Sequence, residues 1–205
     1  TLARKGRTTM FISKANLAVA AAASSDLTRF ATGSVLIEAD GKTVATDGHI
    51  LAMVGGLPAN TSAPAMAVPF EPCLIPARAA LDLGKQIRKP FTTAEIAVPE
   101  SNLNGSIIVQ TNGTATHTVA KDQNATADRF PDYAAVIPSG DAVWSAGFKV
   151  QQLAQALGIA KDAGLKFVRI AALDEHQPIK LTGTNADGQA VLLLVMPYPM
   201  TPEQE

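Results

Sequence analysis

Hydrophobic and polar positions along the chain change period three times, each time in the same order. A short apolar run comes first, then a stretch with apolar residues three and four apart, then runs in which apolar and polar residues alternate. The first apolar run is Thr9 to Ile12. Ser13 can cap a helix that continues to about Ser24, with Leu17, Ala20 and Ala21 on one side. The second run is Cys73 to Ile75. Pro76 then suits a first helical position, Ala80, Leu83 and Ile87 share a face, and Pro90 ends the pattern. The third run is Val143 to Phe148. Behind it Val150, Leu153, Ala154 and Leu157 fall at the i, i+3, i+4, i+7 spacing of an amphipathic helix over 150–162, with Gly164 as its stop.

Each helical stretch is followed by a hairpin signal: Asp40-Gly41, Asn112-Gly113 and Asp187-Gly188. These dipeptides favour two-residue type I′ turns, in which both central residues take positive φ. The flanking runs are Ser34 to Ala39 with Lys42 to Asp47, Ser106 to Thr111 with Thr114 to Ala120, and Ile179 to Ala186 with Gln189 to Met196. The turns lie 72 and 75 residues apart. Unrelated turns have no reason to recur at nearly equal intervals, so the pattern predicts an internal repeat of strand, helix and antiparallel strands.

Composition narrows what such a repeat can do. Of 205 residues, 47% are hydrophobic and 17% charged, and mean hydropathy is +0.14, which excludes a disordered chain and predicts one or two globular domains. The formal net charge is -1. A protein holding nucleic acid by charge alone is normally basic, so any DNA contact must be local or topological. Cys73 is the one cysteine, sits in an apolar run, and reads as a buried, inert thiol compatible with a reducing cytoplasm. Arg4-Lys5-Gly6-Arg7 followed by Met10 to Ala23 imitates a secretory signal, but Lys14 and Asn16 interrupt the apolar stretch and the remainder is mostly alanine, so cleavage is not expected. No run approaches the ~20 apolar residues of a membrane span.

Three segments stand apart from this scaffold: Val44-Ala45-Thr46-Asp47-Gly48-His49-Ile50-Leu51-Ala52, Asp128-Arg129-Phe130-Pro131-Asp132-Tyr133-Ala134-Ala135-Val136-Ile137-Pro138, and Leu192-Leu193-Leu194-Val195-Met196-Pro197-Tyr198. Together, and in this order, they resemble the bacterial DNA polymerase III β sliding clamp. The resemblance implies an α+β DNA-clamp fold of repeated half-units, about three in this chain: residues 9–138 as a complete clamp-type domain of two, and residues 139–205 as a partial domain of one. Relative to a full clamp subunit, the first domain and half of the last are left unmatched. In the clamp family the three segments line an apolar pocket for a short clamp-binding peptide. Carried over, that pocket comprises Thr46, Gly48, His49, Ile50, Leu51, Pro131, Val136, Leu194, Met196, Pro197 and Tyr198. Ile50 and Ala135 stand where the family usually or often has Arg, and the terminal motif is Met-Pro-Tyr rather than Met-Pro-Met or Met-Pro-Leu, which implies a more apolar peptide.

The resemblance also gives the second helix a role. Arg78, Lys85 and Lys89 recur at i, i+7 and i+11 on one stripe, interrupted by Asp82, and Lys161 lies on the third helix with Gln151, Gln152 and Gln155. Clamp helices present such charges to the phosphate backbone without reading bases. Without the resemblance this stripe is an ordinary solvated face. Enzymatic chemistry finds no support: His49, His117 and His176 are scattered, and no Gly-x-Ser-x-Gly elbow, P-loop or dinucleotide fingerprint is present. Asp47 and His49 could share one side of a strand as an acid–base pair, but no nucleophile accompanies them. The expectation is a non-enzymatic, cytoplasmic processivity factor without metal or cofactor, partnered by DNA, clamp-binding peptides, a separate clamp loader and copies of itself. The alternative is a regulator that captures clamp-binding peptides without encircling DNA.

Overall fold

A computed structural model describes residues 8–26, 28, 31–57, 70–88, 93–98, 105–111, 115–121, 126–139, 145–172 and 176–199. The chain divides into two compact units, Thr1–Ile137 and Pro138–Glu205.

The first unit contains two half-units that exchange strands. β1 (Thr8–Ser13) leads into α1 (Lys14–Ala18), and β2 (Ser34–Ile37), β3 (Thr43–Thr46) and β4 (Leu51–Val54) follow. β5 (Cys73–Pro76) leads into α2 (Ala77–Gln86), followed by β6 (Thr93–Val98), β7 (Ser106–Thr111) and β8 (Ala115–Ala120). The strands form two antiparallel sheets, ordered β1-β6-β7-β8 and β4-β3-β2-β5. The strand before each helix therefore belongs to the sheet of the other half-unit. The core between the sheets and helices gathers Met10, Ile12, Leu17, Val35, Ile37, Ile75, Ala80, Leu83, Ile87, Ile96, Ile107 and Val109. Met10, Ile12 and Leu17, part of the signal-like stretch, are thus structural.

Ser13 caps α1 as expected, and more fully. Its Oγ accepts from Asn16 N at 3.2 Å while Asn16 Oδ1 accepts from Ser13 N at 2.9 Å, closing a capping box with Asn in the usual Glu or Gln place. Asn16 is itself buried. Its Nδ2 lies within donating distance of Thr43 Oγ1 at 3.2 Å, Val54 O at 3.3 Å and Gly55 O at 3.0 Å, and its carbonyl accepts from Thr43 Oγ1 at 2.9 Å. Asn16 thereby ties the first helical turn to β3 and to the end of β4. Ala21, expected on the buried side, is exposed. Ala20 is buried as expected, and the helix tightens to 3₁₀ over Val19–Ala22, a rotation that buries Val19 and Ala22 in place of Ala21. α2 begins at Ala77, one residue after expectation, because Pro76 still pairs with Ser34 in the sheet.

The second unit holds α3 (Val150–Asp162), β9 (Arg169–Ala171), β10 (Ile179–Thr184) and β11 (Ala190–Val195), with the sheet ordered β11-β10-β9. α3 has the expected bounds but a different packed face. Ala156 and Ala160 are buried and Leu153 packs beside them against Ile179, Leu181 and Val195, whereas Val150, Ala154 and Leu157 are exposed. The i, i+3, i+7 set Leu153, Ala156, Ala160 follows the 3.6-residue period equally well, and small alanines let the helix lie close to the sheet. The expected strand before α3 does not form over residues 145–148, and its first residues lie outside the described ones.

Two hairpins share one geometry, and it is not type I′. In the first, Gly41 N donates to Glu38 O at 3.0 Å and Glu38 N to Lys42 O at 2.8 Å; in the third, Gly188 N donates to Asn185 O and Asn185 N to Gln189 O, both at 3.1 Å. Each is a three-residue loop in which the glycine, at φ +85° and +80°, takes the left-handed position of a bulge. Asp40 Oδ1 and Asn185 Oδ1 accept from the backbone two and four residues on, an option that a tighter turn would not need. The Asn112-Gly113 turn lies outside the described residues.

Candidate functional site

The first motif is a built turn between β3 and β4. Thr46 Oγ1 donates to Ile50 O at 2.7 Å and accepts from Gly48 N at 3.0 Å. Asp47 Oδ1 accepts from His49 N at 2.7 Å and Ile50 N at 2.8 Å, and Gly48 turns the chain at φ +92°. With the backbone satisfied internally, His49 and Ile50 are free to project, and Ile50 is 59% exposed. Asp47 is therefore a positioning group for this turn.

These hydrogen bonds from Ile50 N and then His49 N hold the Asp47 carboxyl below its ordinary value of 3.8. A depressed carboxyl contributes order that is present above its unfolded pKa and lost as pH falls through the folded one. The turn is accordingly expected to keep its order through the ordinary carboxylate range and to lose it only in more acidic solution, and in Asp47→Ala the His49 and Ile50 amide chemical shifts should differ already at pH 7.

The second motif covers the first motif's sheet. β2 and β3 are buried on both faces because Val35, Ile37, Ala45, Cys73 and Ile75 point into the main core while Leu36, Val44 and Leu74 point the other way. Phe130 closes that second face, with Ala127, Tyr133 and Leu51 packed around it, and the Phe130 and Tyr133 rings meet edge to face at 6.5 Å. Leu51 of the first motif and Phe130 and Tyr133 of the second thus share one cluster. Tyr133 Oη donates to Glu38 Oε1 at 2.6 Å, and Lys42 Nζ sits 2.7 Å from Glu38 Oε2 and 5.4 Å from the Tyr133 ring centroid. Glu38, then Tyr133, hold the Lys42 ammonium above its usual range. Sequence reasoning missed Glu38 and Lys42, although their places on either side of the Asp40-Gly41 turn put them across a hairpin from each other. So anchored, Pro131 and Val136 are exposed, Val136 by 68%.

The third motif lies on and beyond β11 of the second unit. Leu194 and Met196 are 61% and 60% exposed, Pro197 is partly buried, and Tyr198 donates its backbone N–H to Gly147 O at 2.8 Å while Lys149 Nζ lies 4.5 Å from its ring centroid. Leu192, Leu194 and Met196 thus lie exposed along one side of this run.

Of the four cations assigned to DNA, Arg78 and Lys85 are exposed on α2 and Lys161 is exposed on α3; Lys89 lies outside the described residues. Lys85 pairs with Asp82 at 2.8 Å, and this contact holds the Asp82 carboxyl below its ordinary value. Both partners are exposed, so the pair contributes little to stability but dilutes the charge of the stripe. Burial pushes the Cys73 thiol up to about 11. Among the described residues no group of His, Cys, Asp and Glu could hold a metal ion, and no helix is long and apolar enough to cross a membrane.

Two units built of helices behind antiparallel sheets, one of them a pair of strand-exchanging half-units, define the DNA sliding-clamp fold. Comparison with solved structures bears this out. The chain is similar to the Pseudomonas aeruginosa sliding clamp (DNA polymerase III subunit beta) bound to griselimycin, at TM-score 0.67 and 20% identity over 96% of this chain and 52% of that one. The DNA polymerase III beta chain of Streptococcus pneumoniae matches at TM-score 0.66 and 17% identity over 97% of this chain and 52% of that chain. The Caulobacter crescentus beta sliding clamp, with PEG bound to its putative beta-motif tethering region, matches at TM-score 0.65 and 20% identity over 96% and 53%. The chain therefore spans about half the length of the clamps whose fold it has. No model of a protein family matches the sequence, and neither does any curated protein.

Proposed function

We propose that this chain is a sliding-clamp-like processivity factor that tethers a DNA polymerase or another replication protein to DNA by binding its clamp-binding peptide. The observation that carries the reading is the shared Leu51–Phe130–Tyr133 cluster, which holds two motifs together on a sheet of clamp fold and leaves Ile50 and Val136 exposed beside it. In the first unit the peptide contacts are Thr46, Gly48, His49, Ile50, Leu51, Pro131 and Val136; in the second unit the third motif offers Leu194, Met196, Pro197 and Tyr198. Exposed leucine, isoleucine, valine and methionine suit the one or two apolar anchors by which a short peptide binds. The chain contributes binding and no catalysis.

Fluorescence anisotropy with a labelled clamp-binding peptide of a bacterial polymerase tests the assignment. Met196→Ala and His49→Trp are each expected to weaken binding by about 1–3 kcal/mol, the scale of one lost anchor. Equal affinity for both variants and the parent would remove these residues from the site.

DNA is held topologically, with Arg78, Lys85, Lys89 and Lys161 as backbone contacts. Because net charge is -1, short linear duplex is expected to bind weakly and without sequence preference, and closed circles to be retained longer. Arg78→Glu with Lys85→Glu should shorten retention on circles in a gel-filtration assay while leaving peptide affinity unchanged. Tight, sequence-specific binding to a linear duplex would contradict this part of the reading.

A further inference from the structure

The first unit shows how two half-units of this protein complete each other. β1, which precedes α1, pairs with β6, which follows α2; β5, which precedes α2, pairs with β2, which follows α1. Each strand that follows a helix therefore has a neighbour on both edges, and all four residues of β2 are buried. The helices pack closely as well: a Cβ added at Gly84 on α2 would lie 3.6 Å from Leu17 Cβ on α1.

The second unit holds the same parts once. Among the described residues β9, the strand that follows α3, pairs with β10 on one edge and with nothing on the other, and its three residues are exposed. The segment before α3 forms no strand over its described residues, although Tyr198 N holds one side of it through Gly147 O. Val150 and Leu157 are the first and eighth residues of α3, and they are 83% and 42% exposed. Their counterparts on α2, the first and eighth residues Ala77 and Gly84, pack into the core or are buried outright. Phe167 and Ile170, beside the open edge, are 85% and 55% exposed.

We propose that two copies of this chain complete one another through residues 138–205 across a twofold axis. Residues 145–148 of each copy add to the outer edge of the other copy's β9, and the two α3 helices pack through Val150 and Leu157. Every group that the contact needs is carried by the same unit, so each copy both donates and accepts a strand and the contact closes on itself. Strand addition supplies main-chain hydrogen bonds, helix pairing buries apolar surface, and an edge otherwise open to aggregation is covered. Charge does not oppose the pairing, since α3 carries no charged residue from Val150 to Ala160.

Sedimentation equilibrium of the full chain at tens of micromolar should give twice the chain mass. Val150→Asp with Leu157→Asp should shift the dissociation constant upward by at least about a hundredfold with an unchanged circular dichroism spectrum, because both side chains are exposed within one copy. Independently of any variant, hydrogen exchange at residues 145–148 and 169–171 should be protected in concentrated solution and fast in dilute solution. A monomeric parent chain, a dimer that the double variant leaves intact, or exchange at β9 that ignores concentration would each overturn the proposal. Peptide affinity, measured in parallel, reports separately on the proposed function.

Discussion

Replacing Asn16 by Ala is expected to destabilise the first unit by about 3–4 kcal/mol, more than any exposed substitution in the chain. The side chain is 1% exposed and works at both ends. Its Oδ1 completes the cap of α1 by accepting from Ser13 N and from Ser13 Oγ at 2.8 Å, and a lost cap alone costs about 1 kcal/mol. Its Nδ2 serves the fully buried Thr43 Oγ1 and, nearer the surface, the Val54 and Gly55 carbonyls; an oxygen left buried without a substitute partner costs about 1–3 kcal/mol. Urea unfolding should show a lower midpoint with an unchanged slope. Asn16→Asp discriminates the donor role from the space it fills: a carboxylate facing those oxygens is repelled until it is protonated, so this variant should be the less stable of the two at pH 7 and regain stability as the solution is acidified.

Phe130→Ala should cost about 3 kcal/mol, the lower end for a buried Phe, and should also weaken peptide binding although Phe130 itself is buried. Without its ring, Leu36, Val44 and Leu74 lose the cover of their outer face, and Tyr133 loses its edge-to-face partner. Pro131 and Val136 would then be tied to the sheet through Tyr133, by its hydrogen bond to Glu38 and the Lys42 ammonium over its ring. A peptide affinity lower by about tenfold, equivalent to about 1.4 kcal/mol, is expected under conditions where the variant remains folded. An unchanged affinity would show that the segment after Phe130 is not a peptide contact.

These two residues also mark how far the sequence could be read. The repeat, the α3 bounds and most strands were legible because turn dipeptides and apolar periodicity are local signals. The capping box at Ser13 was half legible: serine announced the cap, but the distant partners of Asn16 depend on where β3 and β4 arrive. Val35-Leu36-Ile37 is a continuous apolar run, which says that both faces of β2 are covered and does not say by what. The cover, Phe130, lies more than ninety residues away. On α3 two apolar stripes satisfied the same period, and alanine against leucine gave no ground for choosing the one that packs. In the motifs, the roles of Thr46 and Asp47 as turn builders follow from their hydrogen bonds and not from their type. Glu38 and Lys42 escaped notice because a charged pair beside a hairpin looks the same whether or not a tyrosine comes to rest on it.

The most direct test of the account is a titration of the isotopically labelled chain with a clamp-binding peptide, followed by backbone amide chemical shifts. Thr46 to Leu51 and Asp128 to Val136 in the first unit are expected to respond together along a common saturation curve, and Leu192 to Tyr198 in the second unit to respond as well. Absence of binding, or shifts confined to other surfaces while these three segments stay unmoved, would contradict it.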